Sequence, residues 1–160
     1  DVRRSRGLGD VYKRQENGAW IIHQTGESDP DAFSIKHPQY FPMTFYHNMA
    51  SLFQRANLVI SRAGAGSLTE LAVTHTPSIL IPYPYAADNH QAYNAEIFSN
   101  QNAALVFTEA ALTAEKLETQ VLELLKSSEK LEKMAVGAES LAVKDSHKKL
   151  ASLVHNFLCH

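Results

Sequence analysis

Three clusters in this 160-residue chain combine residue types and spacings able to hold a ligand. The first is RAGAGS, residues 62–67. Its glycines permit close backbone approach. A helical pattern follows, so free N–H groups and partial positive charge would face the loop, an arrangement that binds phosphate. It is not a Walker A loop, because no Gly-Lys-Ser/Thr occurs. It is an incomplete dinucleotide fingerprint, because Thr69 stands where the third glycine of GxGxxG belongs. A tight strand-to-helix turn accounts for the same residues equally well.

The second cluster is Ser67 with Glu70. Ser-x-x-Glu is a capping box, in which each side chain satisfies a backbone N–H of a helix start. A carboxylate at the carboxyl edge of a strand also suits the hydroxyls of a sugar. The third is DNHQAYN, Asp88 to Asn94. His90 with Asn94, and Gln91 with Asn94, share a helical face. Amides and an imidazole together offer the donors and acceptors that a polyhydroxylated ligand requires. Here too a cap competes, since Asp88-x-x-Gln91 is box-like. Other groups carry less. His155, Cys159 and His160 have metal-binding chemistry but sit at a chain terminus. His23 ends a strand run and reads as a core-edge histidine. No Ser-His-Asp set or carboxylate pair stands out. The lysines of 126–149 alternate with glutamates, a solvated helix face and not a nucleic-acid surface.

The elements that must position these clusters follow from periodicity. AWIIHQ (19–24), NLVIS (57–61), SILIPYP (78–84) and AALVF (103–107) are short apolar runs of the kind buried in parallel sheets. YFPMTFY (40–46) reads as extended, with Pro42 barring a central ladder position. A short helix fits 27–38. Helical spacing marks NMASLFQRA (48–56), SLTELAVTH (67–75) and AADNHQAYNAEIFSNQ (86–101), the last with Asp88 as N-cap. The final third is helical throughout. Leu117, Val121, Leu124 and Leu125 share one face; Leu131, Met134, Ala135, Ala138, Leu141 and Ala142 share another; Leu150, Leu153, Val154, Phe157 and Leu158 form a third. Thr113, Ser128 and Ser146 stand at N-cap positions, and Gly137 could break the middle helix. Strands alternating with helices imply an α/β fold, a parallel sheet covered on both faces. Ligands of such sheets bind at the strands' carboxyl ends, where loops 62–67 and 82–90 lie.

Composition sets the outer bounds. The chain is 44% hydrophobic and 20% charged, an ordinary globular mix of about one domain. No apolar run reaches the ~18–20 residues of a membrane-spanning helix. A single cysteine excludes a disulfide framework and a cysteine-rich zinc site. The net charge of −2 is uneven: residues 1–15 hold five cations against Asp1 and Asp10, a net of +3, leaving −5 on the other 145. That basic segment could be a nucleic-acid or lipid-binding arm or a targeting peptide. The preferred reading is a stretch foreign to the coding sequence, joined ahead of residue 16.

Taken together, NLVISRAGAGSLTELAVTHTPSILIPYPYAADNHQAYNAEIF resembles the donor-binding domain of the MurG-type peptidoglycan glycosyltransferases, over about residues 19–158. The resemblance implies a Rossmann-like parallel sheet with flanking helices, the C-terminal half of a two-domain GT-B enzyme, ending in an all-helical segment. It implies transfer of N-acetylglucosamine from UDP-N-acetylglucosamine to lipid I, giving lipid II. Matched by position, Phe45 and Tyr46 fall where the family's backbone recognises uracil. Ala65, Gly66 and Ser67 fall beside the diphosphate, Glu70 at the ribose hydroxyls, and His90, Gln91 and Asn94 at the N-acetylglucosamine. Some members carry Gln at the position of His90.

Two family features are absent: the GGTxGH-type motif of the acceptor domain and the GGSxGA-type loop that opens the donor domain. Residues 16–160 therefore read as an incomplete UDP-sugar-binding domain without the acceptor domain and without the catalytic base. The reaction implied for a complete enzyme is an inverting displacement with no obligatory metal or cofactor. The resemblance further implies a peripheral place on the cytoplasmic side of the bacterial membrane, and no nucleic-acid partner. A different GT-B transferase acting on a glycolipid, or a non-catalytic α/β binding module, are the alternatives.

Overall fold

A computed structural model describes residues 18–27, 29–143 and 145–158. The basic segment 1–15, Cys159 and His160 lie outside the described residues, and so do the expectations placed on them.

Two parallel sheets form where one was expected. β1 (Ile21–Gln24) pairs with β2 (Tyr40–Met43), His23 lying opposite Pro42. The ladder runs through the carbonyls of Gln39 and Met43, so Pro42 turns its donorless nitrogen to the outer edge. A 3-10 turn, Pro30–Ser34, links these strands. After α1 (Met49–Arg55) the chain enters a three-stranded sheet in the order β3-β4-β5. These strands are β3 (Val59–Ser61), β4 (Ser78–Leu80) and β5 (Ala104–Val106), all parallel. α2 (Ala65–Val73) crosses from β3 to β4, and α3 (His90–Asn100) from β4 to β5. Three helices close the chain: α4 (Ala114–Leu125), α5 (Ser128–Ser140) and α6 (Ser146–Leu158).

Alternation along β4 creates two cores. Leu80 packs with Phe53, Leu68, Leu71, Ala95 and Phe98 of α1, α2 and α3. Ile79, on the opposite face, packs with Val121 and Leu124 of α4 and Met134 of α5. Ile79 and Leu80 are fully buried, each worth about 1.5–3 kcal/mol relative to exposure. α5 reaches both cores, through Met134 on one side and Ala138 on the other. The last helix departs from expectation, because Leu153 and Val154 are 57% and 50% exposed.

Helix boundaries shift for local reasons. α2 starts at Ala65 with Gly64 as N-cap, so Ser67 lies inside the first turn and forms no capping box. Asp88 is not the N-cap of α3. It takes a left-handed conformation (φ 50°) inside the 3-10 turn Ala87–Asn89, and Asn89 (φ 53°) stands at the cap without a side-chain bond. Thr113 does cap α4, accepting from the Lys116 N–H. α5 is capped by Ser127, not Ser128. α6 begins at Ser146 itself, with the Asp145 carbonyl accepting from Lys148 and Lys149.

Two helices end in Schellman motifs without glycine. Thr76 N–H bonds the Leu71 carbonyl (3.0 Å) and His75 N–H that of Ala72 (3.2 Å), with His75 left-handed at φ 54°. Ala103 and Asn102 repeat this on Phe98 and Ser99, with Asn102 at φ 54°. The Thr76 hydroxyl also donates to the Phe53 carbonyl (2.9 Å), fastening the end of α1 to the approach to β4.

Gly137 does not break α5, which runs unbroken from Ser128 to Ser140. Its role is close approach. A Cβ there would stand 2.2 Å from the Gln101 carbonyl oxygen and 3.0 Å from the Ala103 nitrogen. Gly137→Ala should therefore destabilise the chain by about 1–3 kcal/mol, the usual cost of overpacking, although alanine is the better helix former. Urea denaturation checks this; an unchanged or raised midpoint would show that the helix can retreat freely.

His23 is half-buried, its Nδ1 2.7 Å from the Tyr40 hydroxyl. Burial holds its pKa below the ordinary value, against a smaller upward pull from Asp29. Below about pH 6.5 the unfolded chain then binds the proton more readily than the folded one. The stability contributed by neutral His23 is present above that pH and declines as the pH falls through it. His23→Gln should flatten this acid-side slope, read from urea midpoints at about pH 5.5 and 7.5.

Candidate functional site

The parallel strands β3, β4 and β5 present their carboxyl ends along one edge, and the three following loops meet there. From β3 the chain passes through Arg62, Ala63 and Gly64 into α2. The first intrahelical bond runs from Leu68 N–H to the Gly64 carbonyl (3.0 Å), so the N–H groups of Ala65, Gly66 and Ser67 precede it. A Cβ built on Gly64 or Gly66 would meet no atom within 4 Å. The space over this helix start is open, and it carries the partial positive charge of the helix. Glu70, one turn further on, is exposed, and its carboxylate makes no hydrogen bond among the described residues.

Loop 81–89, after β4, is bound to this start by α3. Gln91 Oε1 accepts from both Ala63 N–H (3.2 Å) and Tyr83 N–H (3.0 Å). Asn94 Nδ2 donates to the Ala63 carbonyl (3.2 Å). Both polar groups of the fully buried Ala63 are thus held by side chains of α3. The box-like reading of Asp88 and Gln91 fails for this reason: the Gln91 amide reaches across to two loops instead of back to its own helix start. His90 is exposed, its Nδ1 donating to the Ala87 carbonyl at 2.7 Å when that nitrogen carries the proton. Two successive left-handed residues, Asp88 and Asn89, store strain of about 1–3 kcal/mol each in front of this helix.

Ala65, Gly66, Ser67, Glu70, His90, Gln91 and Asn94 therefore gather around one strand edge. Phe45 and Tyr46 lie elsewhere in the chain path, in the loop from β2 to α1. Phe45 is exposed and stands edge-on to His47 at 5.0 Å. Among the described residues no hydrogen bond or ring contact joins this pair to the other seven. Asp29 and Asp31, an Asp-x-Asp pair, flank the start of the 3-10 turn after β1. Among the described residues no group of three His, Cys, Asp or Glu could hold a metal.

Arg62, which opens RAGAGS but had no role assigned to it, also belongs to this edge, with Tyr83 and Glu109. Arg62 Nη1 donates to the Ile81 carbonyl (3.2 Å) and to Glu109 Oε2 (3.0 Å). Its guanidinium lies over the Tyr83 ring. The available signal was position alone, since each residue follows a strand's carboxyl end.

The glycosyltransferase family 28 C-terminal domain matches residues 8–150. The chain belongs to that family. A relative from Trichodesmium erythraeum (strain IMS101) is 87% identical over 145 residues, 91% of this chain and 39% of the relative. Its name is UDP-N-acetylglucosamine--N-acetylmuramyl-(pentapeptide) pyrophosphoryl-undecaprenol N-acetylglucosamine transferase. A relative from Rippkaea orientalis with the same name is 60% identical over 141 residues, 88% of this chain and 40% of its own length. The chain thus spans about two fifths of the curated relatives it matches. Among solved structures, Acinetobacter baumannii MurG superposes with a TM-score of 0.75 at 25% identity, over 94% of this chain and 49% of that one. The family 28 chain has the Rossmann-like fold of the C-terminal half of a GT-B glycosyltransferase.

In this family 28 domain the Gln91 amide has a structural task, holding the Ala63 and Tyr83 N–H groups together. Gln91→Ala strips a partner from the buried Ala63 N–H and should cost about 1–3 kcal/mol. Asn94→Ala, which leaves an under-satisfied carbonyl, should cost less. Urea unfolding of both variants tests the ranking, and a neutral Gln91→Ala would contradict it.

Proposed function

We propose that the protein carrying this domain transfers N-acetylglucosamine from UDP-N-acetylglucosamine to lipid I, with this chain holding the donor. The observation that carries the reading is the edge of β3 and β4. An open helix N-terminus, an exposed carboxylate one turn along it and two amides from α3 converge there. These are the groups a diphosphate, a ribose and an acetamido sugar require. The name of the 87% identical relative supports the same reaction.

In this reading the N–H groups of Ala65, Gly66 and Ser67 meet the diphosphate. Glu70 accepts from the ribose hydroxyls. Gln91 and Asn94, with His90 beside them, meet the sugar, and the backbone at Phe45 and Tyr46 meets the uracil. The acceptor 4-hydroxyl oxygen attacks the anomeric carbon as the bond from that carbon to the UDP oxygen breaks. A base in the acceptor domain takes the hydroxyl proton, and UDP leaves with the bonding electron pair. Donors preorganised at the helix start stabilise the charge that develops on the diphosphate. Among the described residues no helix is long and apolar enough to cross a membrane. Because lipid I is a membrane substrate, the proposed reaction goes with a peripheral place for the whole protein on the cytoplasmic face of the bacterial membrane.

Calorimetric titration of the chain with UDP-N-acetylglucosamine tests the donor site. Loss of the charged acceptor in Glu70→Ala should weaken binding by about 1.5–3 kcal/mol, roughly tenfold or more. Gly66→Ala should fold normally, because its Cβ meets nothing in the protein, yet weaken binding by intruding on the diphosphate. Undiminished affinity in both variants would remove the ligand from this helix start.

A further inference from the structure

Arg62 has no place in the donor contacts above, yet it reaches all three loops at the site. It directly precedes Ala63, whose peptide is gripped by Gln91 and Asn94. Its Nη1 donates to Ile81 O at 3.2 Å, with Pro82 O a longer third acceptor at 3.5 Å. Those carbonyls immediately precede Tyr83, whose N–H is the second donor to Gln91 Oε1. The guanidinium also lies 5.6 Å from the Tyr83 ring centroid. The same Nη1 also donates to Glu109, on the 3-10 turn Glu109–Ala111 that follows β5.

The consequence is geometric. Gln91 can bridge Ala63 and Tyr83 only while the loops after β3 and β4 keep their separation. Arg62, rooted in the first of those loops, is bonded to the second through the Ile81 carbonyl, and Glu109 holds its guanidinium in place. With the bridge made, one atom of each amide has no hydrogen-bond partner among the described residues: Gln91 Nε2, a donor, and Asn94 Oδ1, an acceptor. A donor and an acceptor on one helical face match the two polar groups of an acetamido substituent or adjacent sugar hydroxyls.

We propose that Arg62 is a positioning residue for sugar recognition, setting Gln91 and Asn94 through the Ile81–Tyr83 loop, with Glu109 as its anchor. This rests on the donor reading above and adds selection of the sugar, distinct from binding of the diphosphate. Lysine is a poor replacement for Arg62, because a compact, strongly hydrated ammonium cannot lay a planar cation against the Tyr83 ring while its donor holds the Ile81 carbonyl and Glu109. Glutamine can replace Glu109 in part, because it keeps an acceptor at the same place.

The test compares two ligands on the intact chain, UDP and UDP-N-acetylglucosamine, by calorimetry. Arg62→Lys and Glu109→Ala should each weaken UDP-N-acetylglucosamine about tenfold while UDP stays within about twofold, and Glu109→Gln should recover most of the loss. A general loss of folding would lower both affinities together, so the ratio is the informative quantity. Equal losses for the two ligands would overturn the proposal and make Arg62 a direct diphosphate contact or a purely structural residue. Unchanged binding of both would overturn it as well. Glu109→Ala and Glu109→Gln alone decide the matter if Arg62→Lys does not fold. Failure of the unaltered chain to bind either nucleotide would remove the donor reading before any variant is made, and this proposal with it.

Discussion

The peptide of Ala63 is the point on which the candidate site depends. It is fully buried, at the carboxyl end of β3 where the ladder to β4 has closed with the Ile81 N–H on Ser61. Backbone groups in that setting must find partners or cost about 1–3 kcal/mol each. No strand supplies them. Gln91 and Asn94 do, from a helix 28 and 31 residues away in sequence. That requirement draws the start of α3 against the start of α2, so two loops far apart in the chain become one surface.

The rest of the fold supports this contact from behind. The two cores hold β4 from both faces, through Leu80 on one side and Ile79 on the other. α5 lies close enough to the Gln101–Ala103 turn that only glycine fits at 137. That turn is the Schellman end of α3, so the packing of α5 fixes the far end of the helix whose near end carries Gln91. Strain collects at the near end, where Asp88 and Asn89 are both left-handed. Backbone held in such states needs an overdetermined surrounding, and the Gln91 and Asn94 bonds provide one.

Much of this was legible in the residues. Apolar runs located the three central strands, and helical spacing located α1, α4 and α5. The capping Thr113 could be read from its place ahead of a periodic stretch. The strand-edge loops followed from the alternation of strands and helices. Errors fell where one local rule competed with another. Ser67-x-x-Glu70 has the spacing of a capping box, but the glycine before it begins the helix earlier, leaving both side chains out of any cap. Gly137 has the local signature of a helix break, yet its meaning lies in a neighbour more than thirty residues away. Leu153 and Val154 have a buried-face spacing, and the surface that spacing anticipates is not among the described residues.

Sequence alone determined the class of fold and the strand-to-helix order, because periodicity is a local property, and it singled out polar groups at the strand edge as candidates for a ligand. It also carried the family, since the run from Asn57 to Phe98 is specific as a whole. Tertiary structure alone decided what those groups are free to do. It assigned one amide atom of Gln91 and one of Asn94 to the Ala63 peptide and left the Glu70 carboxylate without a hydrogen bond among the described residues. It also brought Arg62 and Glu109, 47 residues apart, to 3.0 Å. Such pairings depend on which strand lies beside which, and that order comes from the burial of two faces at once, a condition that no single stretch of residues contains.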